Sequence, residues 1–68
     1  MANYIYEIVV TRLNCEGNPI GNESLGFYLS ERRCMEDLQD WKIKWNNDKD
    51  VRYDYANDFR FVQHRLKG

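Results

Sequence analysis

The chain has 68 residues, so it can hold one domain, and residues 1–68 are predicted to form a single compact unit. Its net charge is −1 with acids and bases interspersed, which argues against a polybasic nucleic-acid binder and against a strongly acidic nucleic-acid mimic. No apolar run approaches the roughly 20 residues of a membrane span, and the first residues lack the features of a signal peptide. The composition therefore predicts a cytoplasmic protein with reduced thiols and no membrane partner.

The first half of the chain predicts two antiparallel strands. Residues 4–13 are dense in β-branched and aromatic types on both parities, as expected for a central strand. Residues 14–24 are rich in turn-forming residues and predict a loop. Residues 25–29 predict the second strand, with its apolar side chains on one side: Leu25, Phe27 and Leu29.

A helix is predicted over residues 31–46. Ser30 is the candidate N-cap, and Glu31 in the first turn suits the helix dipole. Apolar residues then recur in steps of four, three and four, which places them in one stripe on the helix. That stripe consists of Cys34, Leu38, Trp41 and Trp45.

From Val51 onward the apolar pattern returns to a period of two, which predicts a further strand. Val51, Tyr53 and Tyr55 share one parity, and the parity switches near residues 56–58. The C-terminal part is therefore predicted to be one long bent strand or a short hairpin. A helix over residues 58–67 is a third alternative, because its apolar positions also fit a helical stripe.

These elements predict a small α+β domain with β-β-α-β(β) topology. Three or four strands would form an antiparallel sheet in the order 2-1-3, with one helix packed on one face. The opposite face would be open, and it would carry alternate residues of a strand rich in Tyr, Val and Ile. Such an open aromatic sheet face on a small domain is a candidate interaction surface.

The residue types give no motif for catalysis, a cofactor or a metal. The two cysteines form neither a CxxC pair nor a cluster with the single histidine, His64. Cys34 lies on the apolar helix stripe, which favours an inert structural thiol. The loop over residues 14–24 lacks the ending of a phosphate-binding P-loop. We therefore expect a protein that is not an enzyme and that uses no cofactor.

The preferred functional hypothesis is a protein-binding module with a larger protein partner. Small aromatic-rich α/β chains of this kind are similar in type to phage or mobile-element accessory proteins. The resemblance implies an inhibitor or regulator of a host defence or transcription complex, acting in the host cytoplasm. Interface hot spots favour aromatic residues and arginine, so the candidate protein-binding residues are Arg52, Tyr53, Tyr55, Arg60 and Phe61.

Two alternatives remain open at this point. The C-terminal segment is basic and interleaves aromatic residues, a composition typical of strands that bind single-stranded nucleic acid. Its candidate residues are Arg60, Phe61, His64, Arg65 and Lys67. The second alternative is a structural or assembly protein that forms a homodimer through an edge strand or through the open sheet face.

Overall fold

A computed structural model describes residues 3–66 of the chain. Its elements follow the order β1 (Asn3–Leu13), β2 (Pro19–Tyr28), α1 (Glu31–Asn47), α2 (Lys49–Asp54) and β3 (Arg60–Leu66). The three strands form one antiparallel sheet in the order β2-β1-β3, and α1 packs against it. The predicted α+β class and the strand order 2-1-3 are therefore confirmed.

The core lies between one face of the sheet and the two helices. Ile8 and Val10 of β1 are fully buried there, and they belong to one cluster with Cys34 and Leu38 of α1. Val51 of α2 and Phe59, just before β3, complete this cluster. Fully burying one large apolar side chain contributes about 1.5–3 kcal/mol, so each member of so small a core is a large share of the stability.

The helix α1 begins at the residue that the sequence predicts. Ser30 has an extended backbone, and its hydroxyl accepts a hydrogen bond from the Arg33 N–H at 3.4 Å. Glu31 lies in the first turn and Lys44 in the last, where each charge suits the helix dipole. The predicted apolar stripe faces the sheet: Cys34 and Leu38 are buried, and Trp41 and Trp45 are half-buried against the core.

The predicted strand over Val51–Tyr55 is wrong, because this segment forms the short helix α2. Asp48 makes the corner: its N–H donates to the Lys44 carbonyl at 2.9 Å, and its carboxylate accepts from the Asp50 N–H at 2.9 Å. One residue therefore ends α1 and begins α2. In a helix, Val51 and Tyr55 are four residues apart and share a face, which is the face that packs on the core.

An aromatic cluster closes the core beside α2. Trp41 stacks on Phe59 with ring centroids 5.7 Å apart, and Tyr55 meets both rings edge-on. The Trp45 indole N–H donates to the Tyr55 carbonyl at 2.9 Å. These contacts hold the end of α2 against α1 and fix the direction in which the chain leaves toward β3.

The strand β2 differs from the prediction in its length and in its facing. It begins at Pro19, so the turn is confined to the stretch before it, where the Asn14 side chain accepts hydrogen bonds from the N–H groups of Glu16 and Asn18. Ile8 pairs with Gly26 but Val9 pairs with Ser24, so Leu25 is an extra residue in a β-bulge. The prediction that Leu25, Phe27 and Leu29 share one side is therefore wrong. Leu25 packs on the core, whereas the side chains of Phe27 and Leu29 are 60% and 83% exposed.

The strand β3 settles the alternatives for the C-terminal part. Residues Arg60–Leu66 pair antiparallel with Asn3–Val9 of β1, one residue to one residue and without a break. Residues 60–66 are thus one short strand, and all three alternatives are wrong within the described residues: the long bent strand from Val51, the hairpin and the helix over 58–67. The parity switch near residues 56–58 corresponds to the connection between α2 and β3.

Candidate functional site

One face of the sheet carries neither of the described helices. Side chains alternate along a strand, and paired residues of adjacent strands point to the same side. The register therefore assigns the residues that share the face opposite the core. We give the name open face to seven residues on this side: Ile5, Glu7, Val9, Phe27, Val62, His64 and Leu66. By register, polar residues on the same side border them: Asn3, Thr11, Asn22, Ser24 and Arg60.

The open face is apolar and accessible. Besides Phe27, it exposes Val62 by 38% and Leu66 by 46%, while Ile5 and Val9 of the central strand are half-buried between them. Single exposed apolar residues are common on proteins, but a group of five contributed by three adjacent strands forms a patch. The predicted open face is therefore present, but its aromatic character is wrong: Tyr4 and Tyr6 have the opposite parity, which leaves Phe27 as its only aromatic residue among the described strands.

A polar pair lies in the middle of this patch. The His64 Nε2 lies 2.9 Å from the Glu7 Oε1, and the Phe27 ring is 6.5 Å from the His64 ring between centroids. A hydrogen bond from Ser24 and a second from His64 hold the pKa of Glu7 below its ordinary value of 4.5. Glu7 is thus ionised at neutral pH with its partners supplied within the sheet, and the pair marks one fixed polar position on an apolar surface.

A second polar group borders the open face where β1 approaches its end. Asp58 accepts from the Thr11 backbone N–H at 2.9 Å and from the Thr11 hydroxyl, and its carboxylate lies 3.2 Å from the Arg60 guanidinium. Arg60 also donates to the Asn22 side chain at 3.0 Å, across the width of the sheet. Burial raises the pKa of Asp58, but the Thr11 hydrogen bonds and the Arg60 charge outweigh it and leave this pKa below 3.8. We call these four residues the Asp58 network.

The remaining polar contacts tie α2 to the sheet on the core side. Glu23 accepts a hydrogen bond from the Tyr55 hydroxyl and pairs with Arg12 at 2.8 Å. The hydrogen bond to Glu23, together with burial, raises the pKa of Tyr55 to about 12. A corresponding bond to Asp37, together with burial, raises the pKa of Tyr28 to about 12. Both phenols are therefore neutral hydrogen-bond donors to carboxylates, which is a structural role.

The thiol of Cys34 is placed in the core and not at a site. Its side chain is fully buried, and burial raises its pKa above the ordinary value of 9.0. A raised pKa keeps the thiol protonated and poorly nucleophilic. His64 lies on the opposite face of the sheet, so the structure does not bring these two groups together. Cys15 is exposed in the turn between β1 and β2.

The predicted protein-binding residues do not share one surface. Arg52 and Tyr53 lie on α2, where Arg52 donates to the Asn46 carbonyl at 2.9 Å and Tyr53 is exposed. Tyr55 is half-buried in the aromatic cluster, and Phe61 packs on the core side beside Tyr6. Arg60 borders the open face in the Asp58 network. Because residues 49–54 form the helix α2 and not a strand, these five residues do not line one face of the sheet.

The predicted nucleic-acid-binding residues are also divided. Arg60 and His64 point to the open face, whereas Phe61 and Arg65 have the opposite parity on β3. Arg60 and His64 are each already paired with a carboxylate. Lys67 lies outside the described residues. The alternation of β3 therefore places Phe61 and Arg65 on one face of the sheet, and Arg60 and His64 on the other.

Sequence reasoning missed most of the open face as named residues. Six of its seven residues are absent from the predicted sites, because no local motif joins positions on three strands: Ile5, Glu7, Val9, Phe27, Val62 and Leu66. The usable signal is the odd parity of residues 5, 7 and 9, in which a charged residue sits between apolar ones. On β2 the bulge hides this signal. It places Leu25 on the core side and Phe27 on the open face, although simple alternation would put both on one face.

The wider comparisons add no functional assignment. Among residues 3–66, no group of three or more histidine, cysteine, aspartate or glutamate side chains is arranged to hold a metal ion. None of the helices in this described part is long and apolar enough to cross a membrane. Scans of the chain against protein-family models, curated proteins and solved structures find no match.

Proposed function

We propose that this protein is a non-catalytic binding module that docks an amphipathic helix of a larger protein on its open face. The observation that carries the proposal is the exposed apolar patch of Phe27, Val62 and Leu66, which flanks the half-buried centre of the sheet. Contiguous apolar surface on a small domain is costly to expose to water and is typical of protein interfaces.

The dimensions of the sheet favour a helix as the partner element. Adjacent strands lie about 4.8 Å apart, so the two outer strands of this sheet are about 10 Å apart. A helix with its side chains is about 10 Å wide. The chain itself shows the fit on the other face, where the single helix α1 contacts all three strands. A partner helix on the open face would form a third layer of the same kind.

The length of the face sets the length of that helix. The segment in which β1 and β3 are paired covers seven residues, which is about 23 Å at the rise of a strand. A helix rises about 1.5 Å per residue, so about four turns cover the same distance. The Glu7–His64 pair lies within this span and the Asp58 network lies at one end of it, and they would favour polar or charged partner residues there.

This function agrees with the regulatory role that the sequence suggests. A module that covers an apolar helix of a larger complex keeps that helix from its other contacts, which is a direct route to inhibition or regulation. Whether that complex belongs to host defence or to transcription, and whether the chain is of phage or mobile-element type, stays a prediction from size and composition.

A matched pair of charge substitutions tests the proposal. Phe27→Lys puts a cation on the β2 side of the open face, beside Glu7, whereas Ile43→Lys puts the same cation at a similarly exposed apolar position of α1. Both side chains are more than half exposed, so both variants are expected to fold, which circular dichroism would check. A tagged pull-down from a cell lysate, with and without nuclease, then compares the amount of protein captured by both variants and by the unmodified chain.

We expect one protein to be captured in stoichiometric amount after nuclease, with Phe27→Lys reducing capture at least about tenfold and Ile43→Lys leaving it unchanged. Equal capture by Phe27→Lys and the unmodified chain would show that the open face is not the docking surface. Recovery of nucleic acid, or loss of the captured protein on nuclease treatment, would favour the nucleic-acid alternative.

A further inference from the structure

The two edges of the sheet differ in how far they are protected against pairing. The outer edge of β2 is irregular: Pro19 lacks an N–H, two register shifts interrupt the strand, and Gly21 and Gly26 have positive φ angles of 142° and 138°. Bulges and proline are the features by which edge strands avoid further pairing. The edge at β3 has none of them, since residues 60–66 contain no glycine or proline and keep an unbroken register with β1.

We propose that β3 pairs antiparallel with β3 of a second copy of this chain, around a two-fold axis at Gln63. The product is a continuous six-stranded sheet in the order β2-β1-β3-β3-β1-β2. A closed two-fold dimer of this type needs paired residues that point to the same side of the sheet. This requirement allows only registers in which the residue at the two-fold axis pairs with the same residue of the other copy.

The register centred on Gln63 is the one that uses the whole strand. All seven residues of β3 are then paired, whereas the next allowed registers, centred on Val62 or His64, pair only five of the seven. Depending on which residue N–H groups face outward, seven antiparallel pairs contain about six to eight backbone hydrogen bonds. The two-fold contact thus satisfies the outward-facing backbone groups of this edge.

The side chains that meet in this register are compatible. Arg60 lies opposite Leu66, Phe61 opposite Arg65, and Val62 opposite His64, so no cation lies directly opposite another. The guanidinium of Arg65 meets an aromatic ring, which is a favourable pair. Arg60 is in addition held toward Asp58 and Asn22 of its own chain. Like charges directly opposite would disfavour the pairing, and this register avoids them.

The consequence is a wider docking surface. A two-fold axis perpendicular to the sheet places both helix layers on one side and both open faces on the other. Val62 and His64 of the two copies then meet at the seam, and the three-stranded open face becomes part of a six-stranded one. The contact is one strand wide, smaller than the roughly 800 Å² per partner of a standard interface, so we expect a weak dimer in the micromolar to millimolar range.

Charge substitutions at the axis test the dimer and its register together. Gln63 is exposed, and its symmetry mate is its direct partner, so Gln63→Glu or Gln63→Lys places two like charges opposite each other only in the dimer. Gln39→Glu introduces the same charge on the exposed surface of α1 and serves as the control. Sedimentation equilibrium from about 1 µM to about 1 mM measures the dissociation constants, and circular dichroism checks folding.

We expect each Gln63 variant to dimerise about tenfold more weakly than the unmodified chain, and Gln39→Glu to dimerise equally well. A one-to-one mixture of Gln63→Glu and Gln63→Lys is expected to recover dimerisation to within about threefold, because opposite charges then meet at the axis. An unmodified chain that stays monomeric to about 1 mM would overturn the proposal, as would dimers that neither variant weakens. Phe27→Lys lies away from this edge and leaves the dimer intact, so failure of helix docking and failure of dimerisation are measured separately.

Discussion

The Asp58 network joins the segment between α2 and β3 to the central strand, and Asp58→Asn tests its weight. The substitution keeps the shape of the side chain but removes its charge and one of its two acceptor oxygens. The carbonyl oxygen of asparagine can still accept from the Thr11 N–H, while the bond from the Thr11 hydroxyl and the ion pair with Arg60 are weakened or lost.

The expected loss follows from the number and exposure of these contacts. A hydrogen bond to a charged group contributes about 1.5–3 kcal/mol, but the Asp58 side chain is 43% exposed, and solvent reduces that to about 1 kcal/mol. The exposed ion pair adds less than about 1 kcal/mol. We therefore expect a loss of about 1.5 kcal/mol at pH 7, which for a domain of this size lowers the Tm by about 6–12 °C.

The dependence on pH distinguishes this explanation from a general packing defect. The folded-state pKa of Asp58 is below its ordinary value of 3.8, so its carboxylate stabilises the fold above that pH. This contribution is lost as the pH falls through the folded-state pKa, because the carboxyl group is then protonated. The gap in Tm between the variant and the unmodified chain should narrow below about pH 4.

Thermal and urea unfolding, monitored by tryptophan fluorescence at several pH values, would measure the loss of stability at pH 7 and the change in the Tm gap with pH. Asp40→Asn removes the same charge from the exposed surface of α1 and is the matched control. If Asp58→Asn unfolds at the same temperature as the control at pH 7, the network does not stabilise the fold. A gap of constant size down to about pH 3 would refute the role of the charge.

Three further predictions concern buried and hydrogen-bonded groups. In the native protein, a thiol reagent is expected to modify exposed Cys15 rapidly and buried Cys34 only at the rate of opening, which mass spectrometry of the modified peptides would show; equal rates would contradict the burial. In a spectrophotometric titration, Tyr28 and Tyr55 should ionise near pH 12. The stability that their hydrogen bonds contribute below about pH 10 should be lost as the pH rises toward 12. Ionisation of all tyrosines in one step near pH 10 would argue against the carboxylate hydrogen bonds. Trp45→Phe removes the indole bond to the Tyr55 carbonyl and is expected to cost about 1 kcal/mol in urea unfolding, whereas no loss would show that this bond does not stabilise the corner.

The elements with strong local signals were predictable from the sequence. The strand at residues 4–13 and the helix after Ser30 are long enough for their periods to show, and the cap fixes where the helix begins. The six residues of α2 make fewer than two turns, so Val51, Tyr53 and Tyr55 match a period of two equally well. Asp48 as an N-cap with Asp50 in the first turn is a pattern typical of the start of a helix. Because α1 ends at the same residue, the sequence does not show that a second helix begins there.

The candidate site could be predicted as a kind of surface but not as a set of residues. A single sheet with a covering layer on one side has an open face on the other, and the central strand supplies Ile5, Glu7 and Val9 to it by simple alternation. The neighbours on that face depend on register, which is set by pairing between distant segments. Phe27 reaches the face because one extra residue, Leu25, enters the ladder, and this is decided by the core that Leu25 fills.

The corner at Asp48 has a consequence for domain swapping between copies of this chain. Asp48 closes α1 through its backbone N–H and starts α2 through its carboxylate, so Asp48→Ala would keep the first contact and lose the side-chain cap that separates the two helical segments. Straightened into one rod, they would carry Val51 out of the core and β3 away from its own β1. The vacant place beside β1 would then suit β3 of another molecule, so we expect the cap at Asp48 to disfavour domain swapping.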